Sequence, residues 1–87
     1  MTVEIWPRAV KDLKKLPKID QLAITAIIRK LGITRVVSKN EKLQGFKNVY
    51  RIRVGKYRLI YLLVKSGVEI IIIAHRREAY NLLKRLW

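Results

Sequence analysis

The sequence predicts a small α+β domain in which helices flank a mostly antiparallel sheet. Three observations favour this class. Apolar residues recur at helical spacing near both ends of the chain, three β-rich runs follow one another in the middle, and tight connections join those runs. At 87 residues the chain has room for one hydrophobic core, so we expect a single domain over residues 1–87.

The N-terminal segment predicts a strand followed by a helix. Polar and apolar residues alternate from Thr2 to Trp6, which indicates a short strand. Pro7 fits the first position of a helix, because that position needs no backbone N–H donor. Pro17 should end this first helix, since the residue before a proline disfavours the helical conformation.

A second helix should follow Pro17 and end near Gly32. Its expected packing face is an apolar stripe at helical spacing, made of Ile19, Leu22, Ala23, Ala26, Ile27 and Leu31. Ile24 and Ile28 widen this stripe beyond what a single packing face needs. One interpretation of this extra apolar surface is a groove for a partner.

The C-terminal half predicts a loop, three strands and a final helix. Residues 33–47 lose periodicity and are predicted as a loop. The predicted strands are Val49–Val54, Tyr57–Val64 and Val68–Ala74. Short connections containing Gly55 and Gly67 favour an antiparallel meander. Leucines at helical spacing between residues 79 and 86 indicate a final amphipathic helix. The predicted element order is therefore β-α-α-β-β-β-α. We expect a curved four-stranded sheet with the two N-terminal helices on one face.

The charge balance predicts a polyanionic partner. The formal net charge is +14, from 20 Lys and Arg against 6 acidic residues, which suits nucleic acid, a membrane surface or an acidic protein. The longest apolar run, Val68–Ala74, is too short to span a bilayer, and no signal peptide is visible, so we expect a cytoplasmic protein that spans no membrane. With no cysteine and one histidine, we expect neither a metal site nor a small-molecule cofactor.

Arginines lie within the predicted strands, where they need a partner. Arg51 and Arg53 alternate along one strand and therefore share one face of the sheet. Arg58 follows across the next tight turn and can converge with them. Arginine holds phosphate oxygens with a planar fork of donors, so this pattern indicates a phosphate backbone over the strands.

A second group of polar residues leaves the end of the last strand. Arg76 and Arg77 begin the C-terminal segment, and Tyr80 lies one helical turn after Arg76. A tyrosine ring can stack on an unpaired base. His75 has two interpretations: it either caps the sheet through backbone contacts or transfers a proton near neutral pH.

Other aromatic residues are better explained by packing than by ligand binding. We expect Tyr50, Tyr57 and Tyr61 to lie in the core or on the sheet, because they occupy strands that are otherwise apolar.

Together these motifs resemble the RelE/ParE superfamily of toxins from type II toxin–antitoxin pairs, and most closely its RelE branch. The similarity covers almost the whole chain. The residues that carry it are Leu43-Gln44-Gly45, Tyr50-Arg51-Ile52-Arg53-Val54-Gly55, Tyr57-Arg58-Leu59-Ile60-Tyr61, His75-Arg76 and Tyr80.

The resemblance implies a metal-independent endoribonuclease. It would cleave messenger RNA in the 30S A site of the ribosome, with the substrate's own 2′-hydroxyl as nucleophile, and thereby inhibit translation. An acidic, RelB-like antitoxin would wrap the toxin and silence it. Matching positions carry over the catalytic set: Arg51, Arg53, Arg58, Arg76 and Tyr80, with His75 as a further candidate.

One departure from the family pattern concerns proton transfer. Some members have lysines at the positions of Arg51 and Arg53, and a crowded lysine can act as a base. Arginine stays protonated, so here both residues are expected to stabilise charge. The remaining basic residues near the site are expected to contact RNA alongside Arg51 and Arg53; they are Lys47, Lys56 and Arg77.

Three other functions remain open at this stage. The ParE branch of the same superfamily inhibits DNA gyrase and cleaves no RNA. A catalytically inactive module would bind RNA or the ribosome and leave messages intact. Finally, the charge could serve only to hold an acidic partner, with the apolar stripe around Ile24 and Ile28 as that partner's groove.

Overall fold

The computed structural model describes residues 2–34 and 40–86. Its elements are β1 (Thr2–Ile5), α1 (Pro7–Lys15), α2 (Lys18–Thr34), β2 (Asn40–Lys42), β3 (Val49–Val54), β4 (Tyr57–Val64), β5 (Gly67–His75) and α3 (Arg76–Leu86). The strands form one sheet in the order β1-β5-β4-β3-β2. β1 runs parallel to β5, and the other neighbours are antiparallel. None of the helices in this described part is long and apolar enough to cross a membrane.

The predicted α+β class and meander are confirmed, but the sheet has a fifth strand. β2 lies inside the predicted loop, where it pairs with β3. Its sequence, Asn40-Glu41-Lys42, is too short and too polar to show strand periodicity. Residues 35–39 of the predicted loop lie outside the described residues.

Helices α1 and α2 cover one face of the sheet. Ile24, Ile28 and Leu31 of α2 are buried there against strand residues such as Leu59 and Ile70. The predicted packing face of α2 was therefore only partly right, because its members Ile27 and Leu31 pack on this core whereas Ile19 and Leu22 do not. Ile24 and Ile28 belong to the core, so they do not form a partner's groove.

The opposite side of α2 is exposed, although it was expected to pack on the sheet. Ile19 is 77% exposed and Leu22 is 62% exposed. Because α2 is apolar around most of its circumference, helical spacing could not decide which side faces the sheet.

The second face of the sheet carries α3 and the connection between β2 and β3. Its core is formed by Leu43, Val49, Ile60, Ile71, Ile72, Ala74, Ala79 and Leu83. A register shift between Ile60 and Tyr61 lets the inner isoleucines Ile71 and Ile72 face this core while Ile70 and Ile73 face the other. β4 and β5 are therefore covered on both faces, by α1 and α2 on one and by α3 on the other.

Gly32 does not end α2, which continues to Thr34. A Cβ at this glycine would lie 2.9 Å from Cγ2 of Val3. The residue therefore permits close packing between α2 and β1, and the predicted helix end was wrong for this packing reason.

Gly67 makes a closer approach at the parallel pairing of β1 with β5. It pairs with Thr2 and has a φ of 157°. A Cβ at this position would overlap the backbone carbonyl of Thr2. Backbone atoms cannot move aside as a flexible side chain can, so only glycine fits here.

We therefore predict that Gly67→Ala strongly destabilises the fold, by about 3 kcal/mol or more, because it combines backbone strain with a steric clash. Gly45→Ala is the matched control, since Gly45 also has a positive φ, of 84°, but nothing lies within 4 Å of its added Cβ. The control should lose only about 1–2 kcal/mol. Urea unfolding measures both, and equal losses would contradict this explanation.

Candidate functional site

The β3–β4 hairpin places three arginines on one face of the sheet. Arg53 is directly opposite Arg58 in the register, and Arg51 is opposite Ile60, which belongs to the core under α3. The side chains of Arg51, Arg53 and Arg58 therefore share the α3 side. Like charges opposite each other across a strand pair are destabilising. The prediction that strand alternation gathers these arginines on one face is confirmed.

Glu41 of β2 partly offsets this repulsion. It is opposite Arg51 in the register. Its Oε2 accepts a hydrogen bond from Nη2 of Arg51 at 3.0 Å, and its Oε1 lies 3.6 Å from Nε of Arg53. One carboxylate thus contacts two guanidinium groups. Sequence reasoning missed Glu41 because it missed β2.

Arg58 donates hydrogen bonds to the backbone of its own hairpin and has a lowered pKa. Its Nη1 donates to the backbone carbonyls of Tyr57 at 2.9 Å and Gly55 at 3.3 Å. Partial burial, followed by the nearby positive charges of Arg53, Arg51 and Arg76, lowers the pKa of Arg58, while Glu41 acts in the opposite direction. An arginine remains protonated near neutral pH despite such a shift. The result is a concentrated positive potential on this face.

Helix α3 brings Arg76 to the hairpin. The backbone N–H of Arg76 donates to the carbonyl of Lys56 in the β3–β4 turn at 2.8 Å. This bond fixes the start of α3 beside the turn that also positions Arg58. Arg76 is exposed, and its charge acts on Arg58. The structure therefore brings arginines from two strands and one helix together.

Tyr80 lies one turn further along α3. Its side chain is 45% exposed, and its ring meets that of Phe46 edge to face with 6.2 Å between centroids. Nζ of Lys84 lies 4.9 Å from the centre of the Tyr80 ring, a cation–π distance. Tyr80 is thus held between α3 and the β2–β3 connection with part of its surface open to solvent.

The remaining predicted RNA contacts are all exposed. Lys56 lies in the β3–β4 turn, and Arg77 lies in the first turn of α3. Lys47 lines an open cleft of about 590 Å³ formed by residues 42–47. Among the described residues, no group of three or more His, Cys, Asp and Glu side chains is placed to hold a metal ion.

The structure does not bring His75 together with the arginines. Ala74 is opposite Arg58, so its neighbour His75 points to the other side of the sheet, where it is opposite Tyr57. The two rings meet edge to face with 6.2 Å between centroids. Nδ1 of His75 accepts a hydrogen bond from the backbone N–H of Arg77 at 3.3 Å. These contacts match the interpretation in which His75 caps the sheet through backbone contacts.

The strand tyrosines pack as predicted. Tyr61 is fully buried in the core under α1 and α2, with Tyr50 and Tyr57 packed against that core. Tyr50 stacks on Tyr61 with 5.4 Å between ring centroids and 14° between ring planes. The buried ring of Tyr61 is therefore not available to an unpaired base.

Comparison with known proteins identifies the family. Residues 3–80 match the family described as the ParE toxin of the type II toxin–antitoxin system parDE. The chain is also 35% identical over 84 residues to a protein named as toxin RelE1 of Methanocaldococcus jannaschii, covering 91% of this chain and 93% of that protein. The chain belongs to the RelE/ParE superfamily of type II toxins. Within it, the likeness to the RelE branch is confirmed.

Solved structures of RelE toxins share this toxin's fold. One is the RelB–RelE antitoxin–toxin complex from Methanococcus jannaschii, with a TM-score of 0.78, 27% identity, and coverage of 91% of this chain and 96% of that chain. Another is the archaeal RelE–RelB complex from Pyrococcus horikoshii OT3, with a TM-score of 0.75, 28% identity, and coverage of 88% and 96%.

The lowered pKa of Arg58 predicts that its charge opposes folding. A cation whose pKa is lower in the folded state is less favourable there than in the unfolded chain, and this penalty persists at every pH below the folded-state pKa. Arg58→Met should therefore raise the melting temperature at neutral pH and low salt. Added salt screens the repulsion from Arg53, Arg51 and Arg76 but not the cost of burying the charge. It should therefore stabilise wild type more than the variant, by part of the difference between them.

Arg29→Met is the control for that comparison, because Arg29 is exposed on α2 away from the hairpin. It should leave the melting temperature and its salt dependence close to those of wild type. A lower melting temperature for Arg58→Met at low salt would show that the two carbonyl hydrogen bonds outweigh the repulsion.

Proposed function

We propose that this toxin is a ribosome-dependent endoribonuclease that cleaves messenger RNA through the substrate's 2′-hydroxyl. The single observation that carries the proposal is the convergence of Arg51, Arg53, Arg58 and Arg76 from β3, β4 and α3. Cations held this close are stabilised by an anion placed over them. A phosphodiester passing through a transition state of higher negative charge fits that requirement.

The chemistry needs four things: in-line geometry, removal of the 2′ proton, stabilisation of charge on phosphorus, and protonation of the departing 5′ oxygen. Arg58 and Arg76 would hold the scissile phosphate and stabilise its growing charge. Arg51 and Arg53 would add electrostatic stabilisation, since arginines do not serve as bases. The hydroxyl of Tyr80 is the candidate for proton transfer on this side of the sheet.

His75 is left out of this mechanism because its ring lies on the other side of the sheet. With few acid–base groups at hand, positioning must supply much of the rate enhancement. A template that fixes the message, such as the 30S A site, can provide that positioning. We therefore place this activity in the cytoplasm, where translating ribosomes are.

The proposed protein partner is an acidic, RelB-like antitoxin. Two kinds of observation support it: the RelE relatives above were solved as complexes with RelB antitoxins, and this toxin carries a net charge of +14. An acidic partner reduces the self-repulsion of so basic a chain and gains association rate from long-range attraction.

We predict that Arg58→Ala and Arg76→Ala each lower message cleavage by about a hundred- to a thousandfold, as loss of one preorganised donor does elsewhere. Both variants should still bind the antitoxin. The measurement is primer extension on messages translated with purified toxin, and Arg29→Ala is the control that also removes one exposed arginine. Wild-type cleavage by either site variant at matched concentration would contradict the proposed site.

Gyrase inhibition is the second candidate, and the ParE name of the matching family favours it. A gyrase inhibitor needs no convergent arginines, whereas arginines from two strands and one helix lie together in this toxin. We therefore predict that the purified toxin stops translation in an extract while leaving DNA supercoiling by gyrase unchanged. Loss of supercoiling with intact message ends would favour the gyrase function. Salt-sensitive binding to ribosomes with intact ends would indicate an inactive binding module.

A further inference from the structure

Glu41 is an acidic side chain in direct contact with the arginine face. Its two carboxylate oxygens lie 3.0 Å from Nη2 of Arg51 and 3.6 Å from Nε of Arg53. It also acts on Arg58, because its charge raises the pKa that the neighbouring arginines lower. One carboxylate therefore interacts with all three arginines of the hairpin.

The position of Glu41 follows from the backbone. β2 is an edge strand of three residues, and its pairing with β3 puts Glu41 opposite Arg51. A carboxylate at this position can contact Arg51, which is directly opposite, and also Arg53, which lies two residues further along β3. Nε of Arg51 is buried and has no hydrogen-bond partner among the described residues, so the orientation of this side chain rests on Nη2 and the bond to Glu41.

Without this carboxylate the two arginine side chains of β3 would have more freedom. Arg53 is 59% exposed and Arg51 is 28% exposed at the side chain. Long side chains with this exposure populate several rotamers unless a partner holds them. Repulsion from Arg58 would also turn Arg53 away from the shared face.

We propose that Glu41 is a positioning residue, which holds Arg51 and Arg53 in the arrangement that receives the RNA phosphate. This inference rests on the proposed nuclease function and adds a residue outside its catalytic set. Glu41 itself need not touch the substrate. Since its negative charge also opposes phosphate binding, its removal should affect the rate of cleavage and the strength of binding in opposite directions.

The test compares Glu41→Gln and Glu41→Asp with the control Glu4→Gln. Glu4 is an exposed carboxylate on β1, the opposite edge strand, so the control removes the same charge at the far side of the sheet. Glu41→Gln should lower kcat for message cleavage about fivefold while KM falls. Glu41→Asp keeps the charge and should recover part of kcat. Glu4→Gln should match wild type.

A second readout does not depend on cleavage. Nitrogen-15 relaxation of the Nε–H groups measures how freely the guanidinium groups move. Arg51 and Arg53 should be more mobile in Glu41→Gln than in wild type or in Glu4→Gln, with the backbone spectrum otherwise unchanged.

The mobility measurement and the kcat measurement can each overturn the proposed role of Glu41. Unchanged mobility in Glu41→Gln would overturn the proposal, as would a kcat equal to or higher than that of Glu4→Gln. If the wild-type toxin cleaves no message, the proposed nuclease function fails, and the mobility measurement still decides whether Glu41 orders the two arginines.

Discussion

The repulsion between Arg53 and Arg58, directly opposite each other on β3 and β4, is the constraint on which the site depends. These two like charges would move apart if β3 could shift its register against β4. A slip of one residue would carry the arginines into the core under α1 and α2. Burial of Ile52 and Leu59, which pair on the other side of the same hairpin, prevents it. Hydrophobic packing therefore holds the charges together.

Both sides of the sheet contribute to this arrangement. The core under α1 and α2 fixes the register, and the core under α3 fixes where the final helix begins. The hydrogen bond between Arg76 N–H and the Lys56 carbonyl then joins that helix to the hairpin turn. Arg76 thus joins the arginines of the hairpin because the backbone places the start of α3 beside the turn. Burial of Arg58, followed by this gathering of charge, lowers its pKa, and both effects disfavour the folded state.

Much of this fold was predictable because apolar runs and turn residues mark where most elements begin and end. The strands β3 to β5 follow from β-rich apolar runs joined by tight turns. The grouping of Arg51, Arg53 and Arg58 follows from alternation along β3 and the tight turn to β4. Other features depend on tertiary packing. The short polar strand β2 has no sequence signal of its own, and with it Glu41 was missed. The apolar circumference of α2 concealed which side is buried.

The placement of His75 was beyond sequence reasoning for a related reason. Residues 70–73 are four consecutive isoleucines, so they carry no alternation that would fix the face of the following residues. The register shift beside Tyr61 sets that face, and it depends on how β4 and β5 pair. Only then does His75 lie opposite Tyr57, away from the arginines.

The claim that the gathered guanidinium groups bind a phosphate backbone can be tested by salt titration of binding. Binding is measured on ribosomes whose message carries a 2′-deoxy nucleotide at the cleavage position. Replacing Arg53 or Arg58 with Gln should reduce the slope of log affinity against log salt by about 0.7 each, the value for one phosphate contact on a single strand. Replacing Arg29 with Gln should leave the slope unchanged. Equal slopes for all of these proteins would contradict the claim.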